Sequence, residues 1–259
     1  MAVTMGKAGD RPWWRRWFGA RPAGGAYVYS RLRTTELRFV DDVGQSRMAR
    51  FAPHRLVVPY TRTMLGALVL VPQPRDVGLV GLGGGSQAKF LHRHLRGANI
   101  EALEISGDVI ALRRRFRIPD DDARFRVVQA DAALALRERV GGYDLLLTDA
   151  YDVGGIPQAL STARWYADCR DSLREGGALA TNLYRTDVER HLRLLRNTFG
   201  AEHVALTRET EQNNCVAFAW RPPLAPAGTP CSLSAAGQRE LHDTLVFMRQ
   251  QRIGRAASD

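Results

Sequence analysis

The run Val77-Gly-Leu-Val-Gly-Leu-Gly-Gly-Gly-Ser86 decides how the rest of this chain is read. A short apolar stretch reads as a buried strand. It breaks into Gly81, Gly83, Gly84 and Gly85, and a helical pattern follows at once from Gln87 to Leu95. Strand, glycine turn and helix N-terminus together let a nucleotide approach bare backbone.

Outward from that run the pattern alternates. Strands are expected at Asp76–Gly81, Asn99–Glu104, Phe125–Ala130, Tyr143–Asp149 and Ala178–Leu183. Helices are expected between them at Asp108–Phe116, Ala132–Val140 and Thr162–Leu173, the last stopped by Gly176-Gly177. Asp187–Phe199 reads as a long amphipathic helix. Val204–Thr207 and Asn214–Trp220 follow without a helix and predict an antiparallel pair, and a final helix is expected over Ala235–Gln251. Such alternation implies an α/β, Rossmann-like parallel sheet with helices on both faces. Upstream, Tyr27–Tyr29, Glu36–Val40 and Arg55–Val58 read as short strands, with Asp41, Asp42 and Gly44 as turn material. Tyr60–Leu70 reads as a helix. The expected division is a basic tail over 1–25, a small β-structured domain over 26–59 and a nucleoside-binding domain over 60–259. The tail carries Trp13-Trp-Arg-Arg-Trp-Phe18 and reads as disordered.

Composition narrows the function classes. No apolar run approaches the roughly 18 residues that span a bilayer, so stable membrane insertion is not expected. The N-terminus lacks a secretory apolar core, which points to the cytoplasm. Cys169, Cys215 and Cys231 are widely spaced and make no CxxC, so no metal site is expected. The net charge is +10 with 37 Lys+Arg, but Lys7 and Lys89 are the sole lysines. Arginines scattered over predicted helices read as solvated faces, and nucleic acid is not expected as the partner.

In a doubly wound sheet, ligands bind outside the carboxyl ends of the strands. Glu104 ends the second strand about 20 residues after the glycines, where an acid accepts hydrogen bonds from ribose hydroxyls. Asp131 follows the third strand with the small Ala132 beside it, an arrangement suited to the exocyclic amine of a free adenine. That acid and the strand-strand ending favour an S-adenosyl sulfonium nucleoside over a dinucleotide. Asp149-Ala-Tyr-Asp152 follows the fourth strand and reads as the reaction centre, formed by Asp149, Tyr151 and Asp152. Carboxylates hold cationic amines, and one can take the proton as an amine attacks. Gly154, Gly155 and Pro157 suggest a lid over it.

These segments resemble the spermidine synthase (polyamine aminopropyltransferase) family. The resemblance rests on Gly81-Leu-Gly-Gly-Gly-Ser86, Leu103-Glu-Ile105, Gln129-Ala-Asp131, Leu147-Thr-Asp-Ala-Tyr-Asp152, Trp165-Tyr166 and Asn214–Ala219 in the same order. It implies a seven-stranded methyltransferase-type sheet behind a small N-terminal β-domain, as a homodimer. It also implies aminopropyl transfer from decarboxylated S-adenosylmethionine to a small amine such as putrescine. Glu104 would then hold ribose, Asp131 and Ala132 the adenine, Gln45 the nucleoside, and Asp149 would act as base. Gly81, Gly83, Gly84 and Gly85 would cradle the donor. Two positions depart from the family. Its loop carries an Asp where this chain has Gly84, and its His-Glu pair before the first strand is replaced in Tyr60-Thr-Arg62. Arg62 could face the carboxylate of intact S-adenosylmethionine. An S-adenosylmethionine-dependent methyltransferase and a non-catalytic nucleoside- or polyamine-binding protein are therefore the alternatives.

Overall fold

The structure is a computed structural model that describes residues 27–38, 44–152, 155–209 and 214–251. Three short strands, β1 (Tyr27–Ser30), β2 (Thr34–Arg38) and β3 (Gly44–Ala49), form an antiparallel sheet in chain order. After helix α1 (Pro59–Leu65) the second sheet is built from β4 (Asp76–Val80), β5 (Asn99–Glu104), β6 (Phe125–Gln129), β7 (Tyr143–Thr148), β8 (Leu173–Leu183), β9 (Val204–Arg208) and β10 (Cys215–Trp220). Its strand order is β6-β5-β4-β7-β8-β10-β9. The first five strands in that order run parallel, and β10 is antiparallel to both β8 and β9. β5 lies on one side of β4 and β7 on the other, so the order reverses beside the glycine run. That reversal opens a crevice above the ends of β4 and β7.

Period-two alternation sends neighbouring residues of each strand into two cores. Leu145 and Leu147 enter one with Val77, Leu79, Val216 and Phe218, whereas Leu146 enters the other with Val80, Leu179 and Ala217. The first core also takes α1, α2 (Ser86–His94) and the inner face of the small sheet through Leu37 and Met48. The second is covered by α4 (Ala132–Ala135), α5 (Ala163–Ser172) and α6 (Val188–Phe199). Each buried Leu, Val or Phe contributes roughly 1.5–3 kcal/mol. Side-chain caps start most helices. Ser106 caps α3 (Gly107–Ala111), Asp131 caps α4, Thr162 caps α5, Asp187 caps α6 and Ser234 caps α7 (Ala235–Glu240). α2 differs: its cap is Gly85 in the left-handed region, with no side chain to cover the first-turn amides.

The sheet and its terminal antiparallel pair agree with the sequence reading, and several element limits do not. Arg55–Val58 forms no strand, and the third strand of the small sheet is Gly44–Ala49 instead. Burial explains the misreading: Leu56 is wholly buried, but as part of a connector whose amide is held by Glu240 Oε1 at 2.8 Å. β8 begins at Leu173, directly after α5, and runs through Gly176-Gly177. Gly176 donates to Arg221 O and Arg221 donates to Gly177 O, both at 2.9 Å, so these glycines make an irregular strand rather than a helix stop. The helices after β5 and β6 are single turns extended by tighter or irregular turns. The final helix divides at Leu241 into α7 and α8 (His242–Gln250). Gln45 lies on β3, but its side chain is outside the described residues, as are the 1–25 tail with its Trp13–Phe18 stretch, Asp41, Asp42 and Gly154.

The ends of β4 and β7 are clamped together. Asp149 N donates to Val80 O at 2.8 Å and Gly81 N donates to Leu103 O at 2.9 Å. Gly81 has φ +89°, and a Cβ there would run into the carbonyl oxygen of Asp149. Both the left-handed backbone and the obstructing backbone atom resist relaxation. Gly81→Ala is expected to lower stability by about 2 kcal/mol or more, read by urea denaturation; a variant as stable as the parent would refute the clamp.

Candidate active site

One large cavity of roughly 990 Å³ opens at this crevice, a size that suits a nucleoside together with a second small molecule. Its wall takes Gly81 and Gly83 from the glycine turn, Glu104 from β5, Asp131 and Ala132 after β6, and Asp149, Tyr151 and Asp152 after β7. Glu36, Ser46 and Arg47 from the small sheet, Tyr60 from α1, Asn182, Tyr184 and Arg185 at the end of β8, and Asn214 complete much of the remainder. Residues dispersed over the whole chain therefore meet at one place because every central strand ends there.

Glu104 is buried with 8% exposure, and both of its carboxylate oxygens are engaged. Leu82 N donates to Oε2 at 2.8 Å and Ser106 N to Oε1 at 2.9 Å. Each carboxylate oxygen has a second lone pair, so the group can still accept hydroxyls while it fixes the turn around it. Asp131 is exposed and caps α4, with Ala133 N donating to Oδ1 at 2.9 Å. Gly84 and Gly85 are not among the cavity-lining residues. A Cβ on Gly84 would lie 2.6 Å from Ser46 Oγ and 3.0 Å from Phe116, and one on Gly85 would strike Ile118. Ser46 thus fills the room that a larger side chain at position 84 would need.

Asp149 sits deep in the cavity, facing it with part of its surface. Tyr60 donates its hydroxyl to Oδ2 at 2.9 Å and Asn182 donates Nδ2 to Oδ1 at 2.9 Å. Asn214 in turn donates Nδ2 to Asn182 Oδ1 at 2.9 Å, which fixes the amide's orientation. No ion pair reaches Asp149 among the described residues. Desolvation therefore dominates and raises its pKa above the usual carboxylate range, against the opposing pull of the Asn182 and Tyr60 hydrogen bonds. Tyr60 is held protonated by burial and by the neighbouring Asp149 charge, so it stays a donor. Tyr151 uses its hydroxyl on backbone: it donates to Asn182 O at 2.7 Å and accepts from Tyr184 N at 2.8 Å. Asp152 is exposed and exchanges backbone hydrogen bonds with Gly155.

Arg62, expected to turn toward the donor, does not line the cavity, although Tyr60 and Thr61 of the same helix do. The cationic side chains on the wall are Arg47 and Arg185. Sequence reasoning assigned no role to Tyr60, Asn182, Asn214 or Lys89. The available signal for Asn182 was its polar side chain at a strand's carboxyl end. For Lys89 it was a lone lysine on the apolar face of α2 in an arginine-rich chain. Its Nζ donates at 2.8 Å to both Gly84 O and Phe116 O and so ties the glycine turn to the segment after α3. Burial, assisted by Arg117, lowers its pKa to about 7.

A scan against known protein families finds no match. Among curated proteins the chain is similar to the polyamine aminopropyltransferase of Chromobacterium violaceum, with 34% identity over 184 residues, 70% of either chain. Among solved structures it is similar to a probable spermidine synthase from Corynebacterium glutamicum, with a TM-score of 0.66 and 16% identity over 92% of this chain and 97% of that one. It is also similar to human methyltransferase-like protein 13 in complex with SAH, with a TM-score of 0.59 and 22% identity over 78% of this chain and 96% of the other. At such identities the structural likeness speaks for the fold alone.

The Lys89 tether has a pH signature. Its folded pKa lies below its unfolded one, so the unfolded chain binds the extra proton between about pH 7 and the ordinary lysine value of 10.5. This group's contribution to stability must therefore rise as pH rises through that window. Lys89→Met should remove that part of the slope, seen as a smaller gain in stability from pH 7 to 9 than in the parent. Equal slopes in denaturation series would refute the assignment.

Proposed function

The chain belongs to the polyamine aminopropyltransferase family and is a transferase, and from that premise we propose that it moves an aminopropyl group from decarboxylated S-adenosylmethionine to an amine, with Asp149 as the base. The observation that carries this reading is Asp149 itself: a deep carboxylate, held by two neutral donors, on the wall of a cavity large enough for both substrates.

In this reading Glu104 accepts the ribose hydroxyls on its remaining lone pairs, and Asp131 accepts the adenine amine on the oxygen that does not cap α4. Gly81 and Gly83 let the nucleoside lie close to the backbone, and Ala132 leaves room for the base. The acceptor amine lies against Asp149, which attracts it as an ammonium and takes its proton. The freed lone pair attacks the aminopropyl carbon next to the sulfonium. A C–N bond forms as the C–S bond breaks, and the bonding pair stays on sulfur as a neutral thioether. One proton has passed to Asp149, and the positive charge of the sulfonium has moved to the nitrogen of the new secondary ammonium. Tyr60 and Asn182 hold the carboxylate in place, and their hydrogen bonds pull its pKa down against desolvation.

Gly84 favours a second reading. Without a carboxylate at that position the glycine turn does not repel the carboxylate of intact S-adenosylmethionine, which a methyltransferase would use. Calorimetry with decarboxylated and intact S-adenosylmethionine separates the two. Tighter binding of the decarboxylated form is expected, and preference for the intact form would overturn aminopropyl transfer.

Asp149→Asn should lower kcat by about 10²–10⁴-fold and leave nucleoside affinity nearly unchanged. Undiminished turnover would dismiss Asp149 as base. The base must be ionised, so activity falls as pH drops through a pKa above the ordinary carboxylate range. Tyr60→Phe removes a hydrogen bond that lowers that pKa, and the acid limb of the kcat profile should move to higher pH. A limb that stays in place would separate Tyr60 from the base.

A further inference from the structure

We propose that the acceptor is an amine that also carries a carboxylate, and that Arg185 is the specificity-determining residue that recognises it. This rests on the aminopropyl-transfer reading and narrows its acceptor class.

The two arginines on the cavity wall differ in their partners. Arg47 Nε donates to Glu36 Oε1 at 3.0 Å, and Arg38 binds the other oxygen of the same carboxylate through Nη2 at 2.7 Å. Glu36, only 4% exposed, is thus engaged by two guanidiniums, and these hydrogen bonds and charges outweigh burial to hold its pKa below the usual value. It is not available to bind an ammonium. Arg185 makes no ion pair among the described residues. Its guanidinium lies over the Tyr184 ring, 5.4 Å from the centroid, and the residue is exposed. A guanidinium remains charged at any working pH.

Arg185 is also held in an unusual backbone state. Its φ is +50°, a left-handed value that a long L side chain seldom adopts. The turn that imposes it is pinned by Tyr151, whose hydroxyl bonds Asn182 O and Tyr184 N on the residues just before it. The same Asn182 holds Asp149. One short segment therefore carries both a support of the proposed base and a guanidinium with no ion pair among the described residues to the same cavity.

A simple diamine is a dication that wants a carboxylate at each end. With one amine at Asp149, the other would share the cavity with Arg185, a like charge. A diamino acid fits better: one amine reaches Asp149 and its carboxylate meets the guanidinium fork.

Putrescine and ornithine test this, because ornithine is the same diamine with an added carboxylate. With decarboxylated S-adenosylmethionine as donor, the full chain should use ornithine with kcat/KM at least about tenfold above putrescine. Arg185→Gly suits the left-handed backbone, so folding is not at stake. It should erase that preference through the KM for ornithine and leave the KM for the donor unchanged. Arg185→Glu should favour putrescine. Preference of the parent for putrescine, or equal effects of Arg185→Gly on both acceptors, would overturn the proposal. If neither amine accepts an aminopropyl group, the transfer reading fails separately. Calorimetry on protein loaded with methylthioadenosine then decides: ornithine binding lost in Arg185→Gly supports the carboxylate site, and ornithine binding no tighter than putrescine refutes it.

Discussion

A carboxylate deep in a protein with no cation beside it is costly, and much of this molecule is arranged around that condition at Asp149. Its two oxygens are met by a phenol from α1 and an amide from β8, elements far apart along the chain. Asn214, just before β10, orients the amide. The terminal antiparallel hairpin, which lies far from the glycine turn in sequence, thus bears on the central group through one side chain. Neutral donors satisfy the charge without cancelling it, and the opposition between desolvation and these hydrogen bonds leaves a carboxyl group above its ordinary range. A cation in their place would stabilise the charge and weaken the group as a proton acceptor.

The glycine turn serves the same end from the other side. Gly81 lies against the backbone of Asp149, so the glycine turn and the support of the carboxylate are one piece of structure. Lys89 anchors the far side of the turn. A lysine that is nearly neutral still presents two N–H donors to its two carbonyls, so the tether persists when the charge is lost.

The sheet was legible because strand and helix periods differ and because glycine marks where backbone must turn sharply. The acids at the strand ends were legible for the same reason: strand direction puts carboxyl ends on one edge, so Glu104, Asp131 and Asp149 had to meet. Lateral partners were not. That Asn182 faces Asp149 depends on β8 lying next to β7 and on register, which spacing along the chain does not encode. The small sheet was misread for a related reason. Leu56 is apolar because it plugs the main core, and Val57 and Val58 because they line the cavity, while β3 carries the polar Ser46 and Arg47 to the cavity and lacks an apolar signature. Arg62 was misassigned because helix phase, not proximity in sequence, determines which of Tyr60, Thr61 and Arg62 faces the crevice.

The reversal of strand order at β4 divides the cavity wall into two inheritances. On the proposed reading, the groups that suit a nucleoside follow β4, β5 and β6 on one flank, while Asn182, Tyr184, Arg185 and Asn214, from the end of β8 and the segment before β10, stand on the other. Asp149, just after β7, stands between the two. Changes in the turn after β8 can therefore accumulate in a lineage without disturbing the nucleoside flank. If the proposed division of donor and acceptor holds, descendants of one ancestral gene can exchange acceptors while keeping their donor, and divergence among relatives should concentrate on that second flank.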